Sequence, residues 1–274
     1  MYLDFYGLKE NPFNVTSDPN FLYLGKPHRE ALAYLLYGIK EKKGFLEITG
    51  EVGAGKTTLC KALLNQLSSD AKTAFILNPN LSELQLLEAI VEDFGIKPVR
   101  RSKVSLLRQL NNFLLEELRK SSTVVLILDE AQNMKNSTLE AIRLLSNLET
   151  DKEKLFQIIL VGQPELRDKL RSPSLLQLAQ RIGVRFHMGP LQSEEIEKYI
   201  YHRMKVAGSE NGVHFSEDAL DKIFRFSNGI PRLINLICDK ALLSGFVRDV
   251  KSIDGEIINK SVFEIEGAPQ EIKV

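Results

Sequence analysis

Eight consecutive residues, Gly50-Glu-Val-Gly-Ala-Gly-Lys-Thr57, constrain what this chain can fold into more than any others. They fit the pattern G-x-x-x-x-G-K-[ST]. Their flanks fit it too, because the short apolar run at 45–49 reads as a strand and residues 57–67 have helical periodicity. A glycine-rich loop between a strand and a helix is a phosphate cradle: its backbone N–H groups close around the anion while the following helix aims its positive end at it. Gly50, Glu51, Val52, Gly53, Ala54, Gly55, Lys56, Thr57 and Thr58 form that cradle, with Lys56 reaching the β- and γ-phosphates and Thr57 offering its hydroxyl to magnesium.

Such a loop needs a sheet to carry it, and the chain supplies strands in alternation with helices. Strands are expected at 73–77, 124–128 and 156–161, and helices at 28–40, 81–94, 104–120 and 137–148. The strands are continuously apolar, the mark of a parallel sheet covered by helices on both faces. A length of 274 residues with 43% hydrophobic content suits one large domain with a smaller appendage. After Pro190 the pattern changes to four helices, at 193–207, 216–226, 231–246 and 253–262, with no convincing strand. The expected fold is therefore α/β: a three-layer P-loop parallel sheet over 1–190, followed by a small all-helical domain over 191–274, the part that the resemblance given below makes a helical lid. Residues 1–27, rich in Pro, Asn, Asp and aromatics, read as an irregular arm on the first domain.

Several polar residues stand where chemistry would need them. Val124-Val-Leu-Ile-Leu-Asp-Glu130 is an apolar strand closed by two carboxylates. Alone, such a pair is a solvated turn or a helix cap. Downstream of the glycine loop, Asp129 is expected to help hold magnesium and Glu130 to orient and polarise an attacking water. Gln163 follows the 156–161 strand at the carboxyl edge where open α/β sheets bind ligands, either as a γ-phosphate sensor or as a turn residue. Asn78 closes the second strand, as a tether for Glu130 or as no more than a strand end. Arg181, before a last expected strand, and Arg232, in Gly-Ile-Pro-Arg at a helix start, either neutralise transition-state charge or sit in surface salt bridges. His28 reads as a structural or capping residue, because phosphoryl transfer needs no histidine.

Lys+Arg and Asp+Glu balance at 36 each, so no net field favours polyanions. One local exception is Lys97-Pro-Val-Arg-Arg-Ser-Lys103, where Lys97, Arg100, Arg101 and Lys103 form either a double-stranded DNA contact or a solvated linker. Cys60 and Cys238 fit neither a disulfide framework nor a metal spacing, and a reducing cytoplasm is the simplest setting. No segment approaches the ~18 to 20 apolar residues that span a bilayer.

With Phe5-Tyr-Gly-Leu-Lys-Glu-Asn-Pro-Phe13, Asp18-Pro-Asn-Phe-Leu-Tyr23, His28-Arg-Glu-Ala-Leu32 and Leu128-Asp-Glu-Ala-Gln132, the glycine loop makes the chain resemble the AAA+ ATPases over nearly its whole length. Within that class it resembles the ExeA/GspA group of secretion-associated ATPases, and it is also similar to transposition ATPases of the TnsC/TniB type. The resemblance implies ATP and Mg2+ as ligands, ATP hydrolysis coupled to self-association into a ring or filament, and service to a secretion or cell-envelope protein partner. The transposition likeness implies instead a DNA-bound ATP switch. Carried over, Asp129 and Glu130 match the acidic pair, Gln163 the sensor, Arg181 a finger acting on a neighbouring subunit with Arg185 as its competitor, and Arg232 the lid arginine. The catalytic set is then Lys56, Glu130, Gln163, Arg181 and Arg232. Residues 21–24 and the helix beginning at His28 match where relatives hold adenine. Longer ExeA-like proteins continue into a membrane span and a periplasmic domain, so this chain is expected to be cytoplasmic, or the cytoplasmic part of a longer inner-membrane protein.

Overall fold

The computed structural model describes residues 2–77, 79–146, 148, 154–209 and 212–267. In chain order the elements are α1 (Tyr2–Phe5), α2 (Lys26–Lys40), β1 (Phe45–Gly50), α3 (Lys56–Gln66), β2 (Lys72–Ile76), α4 (Glu83–Asp93), α5 (Lys103–Arg119), β3 (Val124–Leu128) and α6 (Asn136–Leu145). There follow β4 (Gln157–Gly162), α7 (Pro164–Leu170), α8 (Leu176–Arg181), β5 (Ile182–Met188), α9 (Ser193–Val206), β6 (His214–Phe215), α10 (Glu217–Ser227), α11 (Pro231–Val247), β7 (Ser252–Ile253) and α12 (Gly255–Glu266). Contacts gather the described residues into two compact units: those within 29–52 and 59–188, and those within 2–28, 53–58 and 189–267.

The first unit is built on a five-stranded parallel sheet in the order β2-β3-β4-β1-β5. β1, β3 and β4 are buried along their whole length; β3 is accordingly an unbroken apolar run, while β1 also buries Glu47 and Thr49 and β4 buries Gln157. The edge strand β5 alternates in burial, as a strand with one open side must. Helices cover both faces. On one, Gly38 of α2 lies so close to Leu46 and Val184 that a Cβ there would collide with the Leu46 side chain. On the other, Glu47 of β1 and Arg185 of β5 face residues of α7 and α8 across a cleft of about 510 Å³. Polar caps fix several helix starts: Ser82 and Gln85 form a reciprocal capping box on α4, and the Ser102 hydroxyl caps α5. α7 and α8 escape the sequence pattern because 7 and 6 residues are too few to show a period.

The second unit holds the four expected C-terminal helices, α9 to α12. It differs from the expected lid in two ways. A two-residue parallel bridge, β6 with β7, pairs Phe215 with Ile253 and buries both side chains, and strands that short leave no alternation to read. The arm also belongs here and not with the sheet, because its apolar side chains lie in this core. Tyr6, Leu8, Phe13 and Phe21 pack with Ile200, Ile237, Leu242 and Ile253. Tyr6 lies fully buried, and its hydroxyl donates to the carbonyls of Leu242 (3.1 Å) and Val250 (3.2 Å).

Arg203 of α9 ties the arm down. Its buried guanidinium donates to the Pro12 carbonyl (2.5 Å) and the Asn14 carbonyl (3.1 Å), and lies 4.8 Å from the Phe21 ring centre. Buried donors and acceptors of this kind are costly to leave unmatched. No helix among the described residues is long and apolar enough to cross a membrane. Arg203→Ala should lower the unfolding free energy by about 2 to 4 kcal/mol, since it strands two carbonyls and opens a cavity between aromatic rings. Urea unfolding checks this, and a loss under about 0.5 kcal/mol would show that Arg203 does not hold the arm.

Candidate active site

The carboxyl ends of β1, β3 and β4 lie along one edge of the parallel sheet, and each ends in a residue singled out by the sequence. β1 ends at Gly50, where an added Cβ would sit 2.7 Å from the Met188 carbonyl oxygen of β5. β3 runs into Asp129, which is 2% exposed. Its N–H donates to the Ile76 carbonyl (2.9 Å), and its Oδ1 accepts from the Glu130 N–H (2.9 Å). Glu130 sits in the left-handed backbone region at φ 53° and ψ 36°. Such a conformation is unfavourable for a residue with a Cβ, and positions like it gather at functional sites.

The Glu130 carboxylate is held by two side-chain amides. Oε2 accepts from Nε2 of Gln132 (2.5 Å) and from Nε2 of Gln163 (3.1 Å), while Oε1 of Gln132 accepts from the Gln163 backbone N–H (3.1 Å). One glutamine thus links the end of β3 to the end of β4. The link demands glycine at 162, where a Cβ would stand 2.8 Å from Gln132 Oε1. Lys169 of α7 fastens the turn from the other side, donating to the carbonyls of Gln132 (2.9 Å) and Met134. Burial pushes the Lys169 ammonium below its ordinary pKa. The structure therefore brings Asp129, Glu130 and Gln163 together, and adds Gln132 and Lys169. Gln132 stood in the quoted Leu128–Gln132 motif without a role, and nothing in the sequence marks Lys169. Asn78 lies outside the described residues.

In the second unit, residues 53–58 carry the rest of the glycine loop. Gly53 and Gly55 have φ values of 80° and 94°, which only glycine adopts without strain. Lys56 opens α3 and is buried; Thr57 and Thr58 follow in its first turn. Glu51 and Val52, in the first unit, are exposed. Arg232, second residue of α11, donates its N–H to the Gly53 carbonyl (3.2 Å), and a Cβ on Gly53 would come 2.5 Å from that of Arg232. His28, expected as a structural or capping residue, also reaches this loop: its Nε2 lies 3.0 Å from the Ala54 carbonyl oxygen.

The two finger candidates are both engaged within their own unit. Arg181, closing α8, donates from Nη1 to the Ser146 hydroxyl (2.6 Å). Arg185 lies 3.3 Å from the carboxylate of Glu47, a residue 4% exposed in the middle of the sheet. Burial raises the Glu47 pKa, and Arg185, Arg167 and Arg171 oppose that rise. In the basic run, Arg101 pairs with Glu88 (2.7 Å) and Lys103 with Glu83 (2.8 Å), both on α4. Two of its four charges are thus neutralised locally.

Residues 39–170 match the family model described as AAA domain. Over 272 residues, 99% of this chain, the sequence is 44% identical to the general secretion pathway protein A of Aeromonas hydrophila. The chain thus carries an AAA domain over residues 39–170 and is similar to AAA+ ATPases. It spans 50% of the length of that Aeromonas relative. The crystal structure of Cdc6p from Pyrobaculum aerophilum superposes with a TM-score of 0.67 at 21% identity, covering 90% of this chain and 70% of that one. The Aeropyrum pernix ORC2 protein, solved with ADPNP and ADP, gives 0.63 at 19%, covering 86% of this chain and 67% of that one. These two likenesses establish the AAA+ fold.

The contrast between the two arginines yields a stability prediction. Arg185→Ala leaves Glu47 as a buried carboxylate without its nearest cation and should cost about 1 to 3 kcal/mol, discounted because the guanidinium is half exposed. Arg181→Ala loses a hydroxyl contact and should cost under about 1 kcal/mol. Thermal melts of the two variants check the order, and an equal loss would contradict it.

Proposed function

We propose that this chain binds ATP with its glycine loop, hydrolyses it when assembled with copies of itself, and thereby serves the assembly of a secretion or cell-envelope machine. The observation that carries the hydrolysis is the Glu130 carboxylate, set at the carboxyl edge of the sheet and held there by the amides of Gln132 and Gln163. A carboxylate so placed can take a proton from, and aim, a water molecule, and γ-phosphoryl transfer asks for little else beyond positioning and charge neutralisation.

The remaining roles follow from chemistry. Backbone N–H groups of residues 50–58 and the Lys56 ammonium bind the phosphates, with the amino end of α3 adding its dipole. Gln163 senses the γ-phosphate, since its amide can exchange the Glu130 oxygen for a phosphate oxygen. Arg232 answers to nucleotide through the same loop that its backbone N–H touches. Arg181 acts on the nucleotide of a neighbouring copy; Arg185 is the weaker candidate, because Glu47 claims its charge. The Asp129 carboxylate and the Thr57 hydroxyl are hard oxygen donors that suit Mg2+, a cation held by one or two protein oxygens and otherwise by phosphates and water. Mg2+ would neutralise charge on the β- and γ-oxygens.

The secretion role is taken from the Aeromonas relative, whose likeness runs through 99% of this chain. It implies a protein partner. A DNA-bound switch is the less favoured reading, because the run at 97–103 spends two of its four charges on Glu83 and Glu88.

Glu130→Gln should keep ATP affinity within about twofold and lower steady-state turnover at least about 100-fold, leaving ATP-bound assemblies that persist. A phosphate-release assay with size-exclusion chromatography checks both. Turnover at the parent rate would remove Glu130 from the mechanism.

A further inference from the structure

His28 occupies a place that no part of the hydrolytic chemistry requires. It lies near the start of α2, is 2% exposed, and points Nε2 at the Ala54 carbonyl oxygen, 3.0 Å away. A carbonyl oxygen can only accept, so Nε2 carries the hydrogen and Nδ1 is a bare acceptor. Among the described residues no donor reaches that Nδ1, although it is buried. An apolar side chain of the same shape would fill this space without burying an unmatched acceptor, so packing alone does not explain an imidazole here. What histidine supplies, and leucine would not, is the single hydrogen bond to Ala54.

The partner of that bond gives it meaning. A trans peptide unit is planar, with its C=O and N–H pointing in opposite directions. Fixing the Ala54 carbonyl toward His28 therefore fixes the Gly55 N–H away from it. Gly55, at φ 94°, is the glycine before Lys56, and its backbone passes so close to the ring that an added Cβ would stand 3.2 Å from Nε2. Without a restraint, a glycine flanked by a small residue can rotate its peptide and turn that N–H aside.

We propose that His28 is a positioning residue for the phosphate loop: by donating from Nε2 to the Ala54 carbonyl it sets the Ala54–Gly55 peptide so that the Gly55 N–H is presented to the phosphates of the nucleotide. This rests on reading residues 50–58 as the phosphate cradle. The start of α2 that carries this histidine is anchored by the Lys26 N–H, which donates to Glu195 of α9 (2.7 Å).

The test uses the full chain with His28 replaced by Leu, Gln or Asn. Gln places an amide donor near the position of Nε2, whereas Asn is one methylene too short to reach Ala54. Calorimetry with ADP and steady-state hydrolysis of ATP give the readouts. His28→Leu should weaken ADP binding and raise KM for ATP by roughly threefold to tenfold, the worth of about one net hydrogen bond. Its kcat should stay within about twofold, because a phosphate contact made before and during the reaction is uniform binding. His28→Gln should restore both values to within about twofold, and His28→Asn should resemble Leu. A Leu variant that binds ADP like the parent overturns the proposal, as does a Gln variant that melts like the parent yet binds as weakly as Leu. Should Leu fail to fold, equal ADP binding by Asn and Gln overturns it. A parent chain that binds no ADP would instead overturn the reading of the loop itself.

Discussion

All five strands of the sheet run parallel, and that constraint decides where everything else can go. Parallel strands place every carboxyl end on one edge, so the end of β1 at Gly50, the carboxylates after β3 and the amide after β4 emerge side by side. Antiparallel pairing would have sent neighbouring ends to opposite edges. The parallel arrangement in turn demands burial on both faces, which makes β3 wholly and β1 and β4 mostly apolar, and sets Asp129, Glu130 and Gln163 just past strand ends.

At that edge the interactions are mutually dependent. Glu130 holds an unfavourable left-handed backbone, and the surroundings that over-determine it are visible: Asp129 Oδ1 on its N–H, Gln132 and Gln163 on its carboxylate, and Lys169 on the turn that follows. Gln132 uses its donor on Glu130 and its acceptor on the Gln163 backbone, so turning Gln132 would break both contacts at once. A γ-phosphate that drew the Gln163 amide would change the restraint on Glu130 in the same motion. Such coupling suits a hydrolase whose rate is set by assembly and nucleotide state.

Much of this was legible in the sequence because the physical demands were strong and local. A strand such as 124–128 must be apolar throughout to survive in the middle of the sheet, and a phosphate loop must have glycine where φ is positive; both leave patterns. What could not be read depended on distant partners. The arm is polar enough to pass for a loop, yet Tyr6, Phe13 and Phe21 find their core nearly 200 residues later in the helices that also supply Arg203. Gln132 and Lys169 carry no periodicity and act through single hydrogen bonds. The contact of His28 with the Ala54 carbonyl has no sequence signature either, since it is one ring nitrogen on one backbone oxygen.

In the proposed mechanism a catalytic site is completed by a second copy. The direct measurement is ATP turnover in mixtures of Glu130→Gln and Arg181→Ala proteins, each inactive or nearly so alone. In a mixed assembly, an intact Glu130 on one copy can meet an intact Arg181 on the next. Activity that rises well above the sum of the two separate proteins, and that grows with total protein concentration, is the predicted result. A mixture no more active than that sum, under conditions where the parent is active, would contradict it.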